Sequence, residues 1–316
     1  MIAAQQDGTA IAPNKISVAA FIDRFESDWV ANHVTARSAE RYRAALGHVR
    51  RHLGDRLLQK LCPADLAGLY AALKREGLQP RTVKFVGVIL YSALRQAKKW
   101  GIIRDNPAET EKPPKAPQRE TEMLQPKEAA ALLQRLHGKP LYLLASLALA
   151  TGARRNELLG LRWQDLDLDN ARLTIAQALE QTAAHGIQVK APKTKHSKRT
   201  IALPPHAVAE LRAHWRAQQE QRLALGMGKA PEGFPVLATY DGTYQSPNAV
   251  SHAWVRQMAA LESSVTLHSL RHTHGSMLIA SGVLGHSSVK VTLDVYGHLI
   301  HGTDDKAAEI IGRAFG

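Results

Sequence analysis

One cysteine, Cys62, is all the thiol the chain has. No intramolecular disulfide and no Cys-based zinc site can be built from it, a usage that fits a reducing cytoplasm. Long apolar runs are missing as well: the longest, residues 141–150, falls far short of the roughly 20 residues that cross ~30 Å of hydrocarbon. No membrane insertion is expected. The N-terminus, Met1-Ile2-Ala3-Ala4-Gln5-Gln6-Asp7, lacks a basic stretch followed by an apolar one and so does not read as a secretory signal. No H-E-x-x-H, P-loop or fixed-period repeat is present. Acidic residues are in deficit, 28 Asp and Glu against 41 Lys and Arg, for a formal net charge of +13. Such an excess favours a polyanionic partner, because each phosphate neutralised releases condensed counterion.

What is there is ordinary globular material. With 316 residues, 45% hydrophobic and 22% charged, the chain can bury cores in about two domains of ~150 residues. Residues 17–101 are helical in pattern throughout. Ser38 suits the N-cap of a helix with Tyr42, Leu46, Val49 and Leu53 on its apolar face, stopped by Gly54; the same helix carries Arg37, Arg41, Arg43, Arg50 and Arg51. Leu66, Leu69, Tyr70 and Leu73 repeat at helical spacing after Pro63, and Gly77 ends that element. A third helix follows Pro80, burying Val83, Val86, Leu90 and Leu94 beneath a basic face. Residues 106–117, with Lys112-Pro113-Pro114-Lys115, read as an extended basic linker, because prolines and the residues before them resist helix.

Beyond Pro126 helices are expected over 127–136 and 140–150, then a turn at Thr151-Gly152-Ala153-Arg154-Arg155-Asn156-Glu157 leading into another. Residues 171–176, 187–190 and 199–203 are β-rich, and the stretch 190–199 is a basic hairpin. Helices resume over 205–225, 248–260, 268–280 and 288–298, and an apolar tail with Ala308, Ile310, Ile311 and Phe315 suits docking either in cis or on a neighbouring protomer.

The chemistry concentrates at His268-Ser269-Leu270-Arg271, Leu284-Gly285-His286-Ser287 and Tyr296. Arg offers a two-pronged fork to phosphate oxygens, His can move a proton near neutral pH, and a nearby Tyr is a candidate nucleophile. His268 and His272 stand at i and i+4, yet no acidic ligand lies in that stretch, so neither a metal nor a cofactor is expected. Joined by Thr151-Gly152-Ala153-Arg154-Arg155-Asn156-Glu157 and Pro192-Lys193-Thr194-Lys195, these motifs closely resemble, in order and over nearly all of residues 122–300, the catalytic domain of the tyrosine recombinase, or phage integrase, family. The first domain looks like that family's core-binding bundle.

The resemblance implies a fold that is mainly α with a small antiparallel β-sheet: an N-terminal helical core-binding bundle plus a mixed α+β tyrosine-recombinase catalytic domain. Its segments are a tail at 1–15, a core-binding DNA-binding domain at 16–105, a linker at 106–121, and a catalytic domain at 122–316 with a C-terminal tail at 302–316. It further implies that Tyr296 attacks the scissile phosphate to form a 3′-phosphotyrosyl link while Arg154 and Arg271 neutralise phosphate charge. Lys193, or Lys195 in another hairpin register, protonates the leaving 5′-oxygen; His268 acts on the tyrosine proton or a phosphate oxygen, and His286 hydrogen-bonds phosphate. Glu157 orients the arginines or caps its helix. The implied partners are double-stranded DNA core sites gripped by a C-shaped clamp, a homotetramer on two duplexes and DNA-bending accessory proteins, in a bacterial or phage-encoded, DNA-associated setting. Energy is conserved through the phosphotyrosyl bond, so neither metal nor ATP is required.

Two departures stand out. Val283 abuts Leu284 where the family has further turns of helix and loop, and a true deletion there would carry His286 and Tyr296 roughly ten ångströms from His268 and Arg271. Residues 1–15 are too short for an arm-binding domain. The alternatives are a type IB topoisomerase-like relaxing enzyme, against which the Leu-Gly-His-Ser motif and the basic bundle argue, and a non-catalytic DNA-binding regulator, against which the intact residue set argues.

Overall fold

A computed structural model describes residues 13–117, 123–191, 198–280 and 304–315. It divides into two compact units, Met1–Arg119 and Glu120–Gly316.

Among the described residues, every regular element of the first unit is a helix. Helix α1 (Val18–Phe25) starts at Ser17, whose Oγ accepts the Ala20 N–H at 3.1 Å, and continues through a π-helical turn, Glu26–Val30, into a last turn, Ala31–His33. Spacing of four residues puts Phe21, Phe25, Trp29 and His33 in one stack, with successive ring centroids 6.1, 5.2 and 5.0 Å apart. Helix α2 (Ala36–Leu53) is capped by Thr35 rather than by the expected Ser38: Thr35 Oγ1 accepts the Ser38 N–H at 3.4 Å, which places Ser38 in the first turn. Helices α3 (Pro63–Arg75) and α4 (Pro80–Lys99) each begin on proline, whose missing N–H has no partner to lose there. Their apolar stripes close on Phe21, Phe25 and Leu46 to form one core.

The stretch read as an extended linker is helical at its start. Asn106 is buried, its Oδ1 accepts the Ala108 N–H at 3.0 Å, and Pro107–Thr110 forms a short helix, α5, with Pro107 and Ala108 buried against the bundle. Proline bars helix for the residue before it but suits the first helical position, so Asn106-Pro107 starts a helix as readily as it prevents one. Residues 112–117 carry no regular structure, and Pro113 lies on α4 at Gly87, where a Cβ would stand 2.5 Å from the proline ring.

The second unit is built round α7 (Tyr142–Thr151), which follows α6 (Pro126–Leu136) and is apolar on every side, as a central helix must be. Helix α8 (Arg155–Leu159) leads into the strands β1 (Leu166–Asp167), β2 (Arg172–Ile175), β3 (Ala178–Thr182), β4 (Gly186–Lys190) and β5 (Arg199–Ala202). Strands β1, β2 and β5 form an antiparallel sheet with Leu173 opposite Ile201, while β3 and β4 make a separate hairpin inserted between β2 and β5. Strand β3, unanticipated, has few β-branched residues to announce it; Asn156 Nδ2 donates to its Leu179 carbonyl at 2.7 Å and Ser246 Oγ to its Gln181 Oε1 at 2.8 Å. Helices α9 (Pro205–Ala224), α10 (Pro247–Ala260), α11 (Leu267–Ala280) and α12 (Asp304–Phe315) follow among the described residues. The apolar tail is α12; it packs in cis on α6, α7, α9, α11 and β5, with Ile311 inside the core. Among the described residues no helix is long and apolar enough to cross a membrane.

Candidate active site

Helix α7 ends at Gly152, which holds φ +60, a left-handed conformation that glycine adopts without strain. The chain turns there, Ala153 N–H donating to Thr151 Oγ1 at 3.1 Å, and α8 starts after Arg154. Glu157, three residues on, accepts the Arg154 backbone N–H on Oε2 at 2.9 Å and the Arg154 guanidinium on Oε1 at 3.1 Å. Such a carboxylate in the first turn satisfies a backbone donor and complements the helix dipole.

Helix α11 brings the second arginine to the same turn. Arg271 is buried, and its guanidinium donates to the Gly152 carbonyl. His268, one turn earlier, is exposed and meets His272 edge-to-face with ring centroids 4.4 Å apart. Spacing of three and four residues lines His268, Arg271 and His272 along one side of α11.

His274 fixes the two helices to each other. Its ring is buried against Gly152, and Nδ1 lies 2.7 Å from the Leu149 carbonyl. A carbonyl only accepts, so Nδ1 carries the proton. Burial, aided by the charges of Arg271 and Arg199 and opposed by the Leu149 hydrogen bond, pulls this histidine down to about 4. It is neutral at physiological pH.

A third arginine was not legible in the sequence. Arg199, the first residue of β5, sends its guanidinium to both oxygens of Glu157, at 2.7 and 3.3 Å. Burial pushes the Glu157 carboxyl up, but Arg199 and Arg154 together hold it below the usual carboxylate range. Read along the chain, Arg199 is only the last cation of a basic hairpin; its partner lies 42 positions away, beyond any local pattern.

Of the expected site residues, then, Arg154 and Arg271 converge on the turn from Gly152 to Glu157, and His268 stands one helical turn from Arg271. Lys193, its alternative Lys195, His286 and Tyr296 lie outside the described residues, as does the Val283-Leu284 junction. No cluster of three or more His, Cys, Asp or Glu suited to a metal occurs among the described residues. Two arginines thus meet at one turn, Arg154 with its side chain about half exposed and Arg271 buried; a guanidinium fork is the side chain best suited to an anion with several oxygens.

Solved structures share this architecture. The Tn1549 transposon integrase, determined in complex with a circular intermediate DNA, matches with a TM-score of 0.73 at 19% identity, over 94% of this chain and 99% of that one. A lambda integrase tetramer bound to a Holliday junction matches with a TM-score of 0.65 at 19% identity, over 95% and 86%. At such identities the likeness is one of fold. In sequence, tyrosine recombinase XerC of Xanthomonas campestris pv. campestris is 30% identical over 292 residues, covering 85% of this chain and 81% of the relative. The phage integrase family pattern matches residues 122–301, more than half of the chain. With Arg154, Arg271 and their shared turn inside that match, the chain belongs to the phage integrase family and is a tyrosine recombinase.

Proposed function

We propose that this protein is a site-specific DNA recombinase that cuts and rejoins DNA through a 3′-phosphotyrosyl intermediate at Tyr296. The observation that carries the reading is the convergence of Arg154 and Arg271 on one rigid turn, held by Gly152, His274 and Glu157. Transfer of a phosphodiester builds charge on the non-bridging oxygens, and guanidinium groups fixed beforehand stabilise that charge without reorganising.

In the proposed step the Tyr296 oxygen bonds to phosphorus and the bond from phosphorus to the 5′-oxygen breaks. The phenol, of ordinary pKa ~10, gives its proton to His268, and the departing 5′-oxygen takes one from Lys193. Lys195 is the alternative donor. His286 donates a hydrogen bond to the phosphate. Attack by the 5′-hydroxyl of a partner strand reverses each transfer, so protons and bonds balance over a full exchange. The first unit would serve as the core-binding domain, its basic α2 and α4 meeting the duplex. Strand exchange needs four copies on two duplexes, and the lambda integrase tetramer bound to a Holliday junction supports this reading.

The test is covalent capture. A pool of nicked duplexes with randomised cores is incubated with the protein, adducts that survive denaturation are isolated, and their DNA is sequenced. Wild type is expected to capture a defined sequence and Tyr296→Phe none. Equal absence of adduct from both would overturn the reading. Relaxation of a supercoiled plasmid without synapsis would favour the topoisomerase-like alternative instead.

A further inference from the structure

Glu157 poses a problem for a phosphate site. A carboxylate hydrogen-bonded to Arg154 turns a cation into a neutral pair, and a neutral pair stabilises a phosphate poorly. The way out lies on β5. Arg199 engages both Glu157 oxygens as a fork, at 2.7 and 3.3 Å, with its side chain only 12% exposed. Arg154 reaches the same carboxylate through a single guanidinium nitrogen at 3.1 Å, and its side chain is 47% exposed. Two-pronged contact in a poorly hydrated setting is the stronger of the two. One carboxylate shared by two guanidiniums also leaves the trio with a net positive charge.

We infer that Arg199 is a positioning residue of the phosphate site, holding the Glu157 carboxylate so that its charge does not cancel Arg154. The inference rests on the recombinase reading above. The Arg199 side chain is largely shielded and is not assigned a contact with DNA; it acts through Glu157. The geometry separates two duties that one carboxylate could not perform alone. Glu157 caps α8 through the Arg154 backbone N–H and thereby fixes where Arg154 starts. Arg199 then absorbs the charge which that cap brings into the site. Arg154 comes from the turn before α8 and Arg199 from β5, so the shared Glu157 carboxylate also ties α8 to the sheet. Arg199 and Arg271 both lie near enough to His274 to depress it, consistent with one cationic cluster.

The experiment uses the full chain and the duplex that wild type captures, measuring single-turnover adduct formation alongside DNA affinity. Arg199→Met is expected to slow cleavage by roughly 10- to 100-fold, less than the roughly 100- to 1,000-fold of deleting a contacting donor because Arg199 acts at one remove, with affinity changed by less than about threefold. Adding Glu157→Gln, which removes the charge but leaves an oxygen for the cap, is expected to restore cleavage to within about threefold of Glu157→Gln alone. A merely structural ion pair would show in stability instead: Arg199→Met would lower the urea midpoint, yet cleave at the wild-type rate under conditions where it is fully folded. Where Arg199→Met folds poorly by circular dichroism, Arg199→Lys replaces it. Lysine keeps the charge without the fork, and its smaller deficit must again be relieved by Glu157→Gln. If wild type captures DNA while Arg199→Met cleaves at the same rate, or the double variant shows no recovery, the inference fails and the recombinase reading stands. If wild type captures nothing, both fall together.

Discussion

The Arg271 guanidinium donates to the backbone carbonyl of Gly152, 119 positions earlier in the chain. A side chain that would serve phosphate chemistry is thus held by a residue with no side chain. The same glycine ends α7 in a left-handed conformation and lies against the His274 ring, so three requirements meet at one position.

Gly152→Ala is therefore expected to destabilise the second unit. A Cβ there would stand 2.5 Å from His274 Cδ2, closer than carbon atoms approach, and the backbone would have to keep φ +60 with a side chain present. The left-handed conformation costs an alanine about 1 kcal/mol and the overpacking about 1 to 3 more, a total of roughly 2 to 4 kcal/mol. Urea unfolding followed by tryptophan fluorescence measures it. A loss under about 0.5 kcal/mol, the scatter of neutral surface changes, would mean that the clasp between α7 and α11 is looser than described.

Stability should also decline in acid, and His274 sets where. An unfolded histidine takes up its proton near pH 6.5, whereas His274 resists protonation to about 4. Between those values the unfolded chain binds more protons than the folded one, so the stabilisation is fully present above about pH 6.5 and is lost as pH falls toward 4. Its full size is on the order of 3 kcal/mol. Burial lowers His206 and His214 as well, which adds loss of the same sign. His274→Asn, with an amide nitrogen placed to donate to the Leu149 carbonyl, should flatten the decline in melting temperature from pH 6.5 to 4. A profile as steep as that of wild type would assign the acid limb to other groups.

How much of this was legible in the sequence depends on how local each cause is. Pro63 and Pro80 mark helix starts because proline fixes its own φ and lacks a donor, and the chain folds as they indicate. Thr35 and Ser38 are both good caps three residues apart, and composition does not choose between them; the helix begins at Ala36 and makes Thr35 the cap. Asn106-Pro107 was misread for a similar reason, since a pair that breaks one helix also begins another. The motif around Gly152, Arg154 and Arg271 was readable as a pattern of residue types. What was not readable is anything resting on a distant partner: Arg199 reaches from β5 to Glu157 on α8, and His274 is buried where α11 packs on α7.

The C-terminal helix gives a last test, because cis and trans docking differ in their dependence on concentration. Ile311 is fully buried in the core of its own unit, where α12 packs on α6, α7 and β5. Removing a buried isoleucine side chain down to alanine costs about 2 to 5 kcal/mol, depending on how far the site collapses. A helix seated on its own unit contributes this to unimolecular folding. The melting temperature of Ile311→Ala should then lie below that of wild type by the same amount at every protein concentration. A helix seated on a neighbouring copy would stabilise by mass action, and its contribution would fade on dilution. Calorimetry over a hundredfold range of concentration separates the two, and a deficit that shrinks as wild type is diluted would overturn the cis packing of α12.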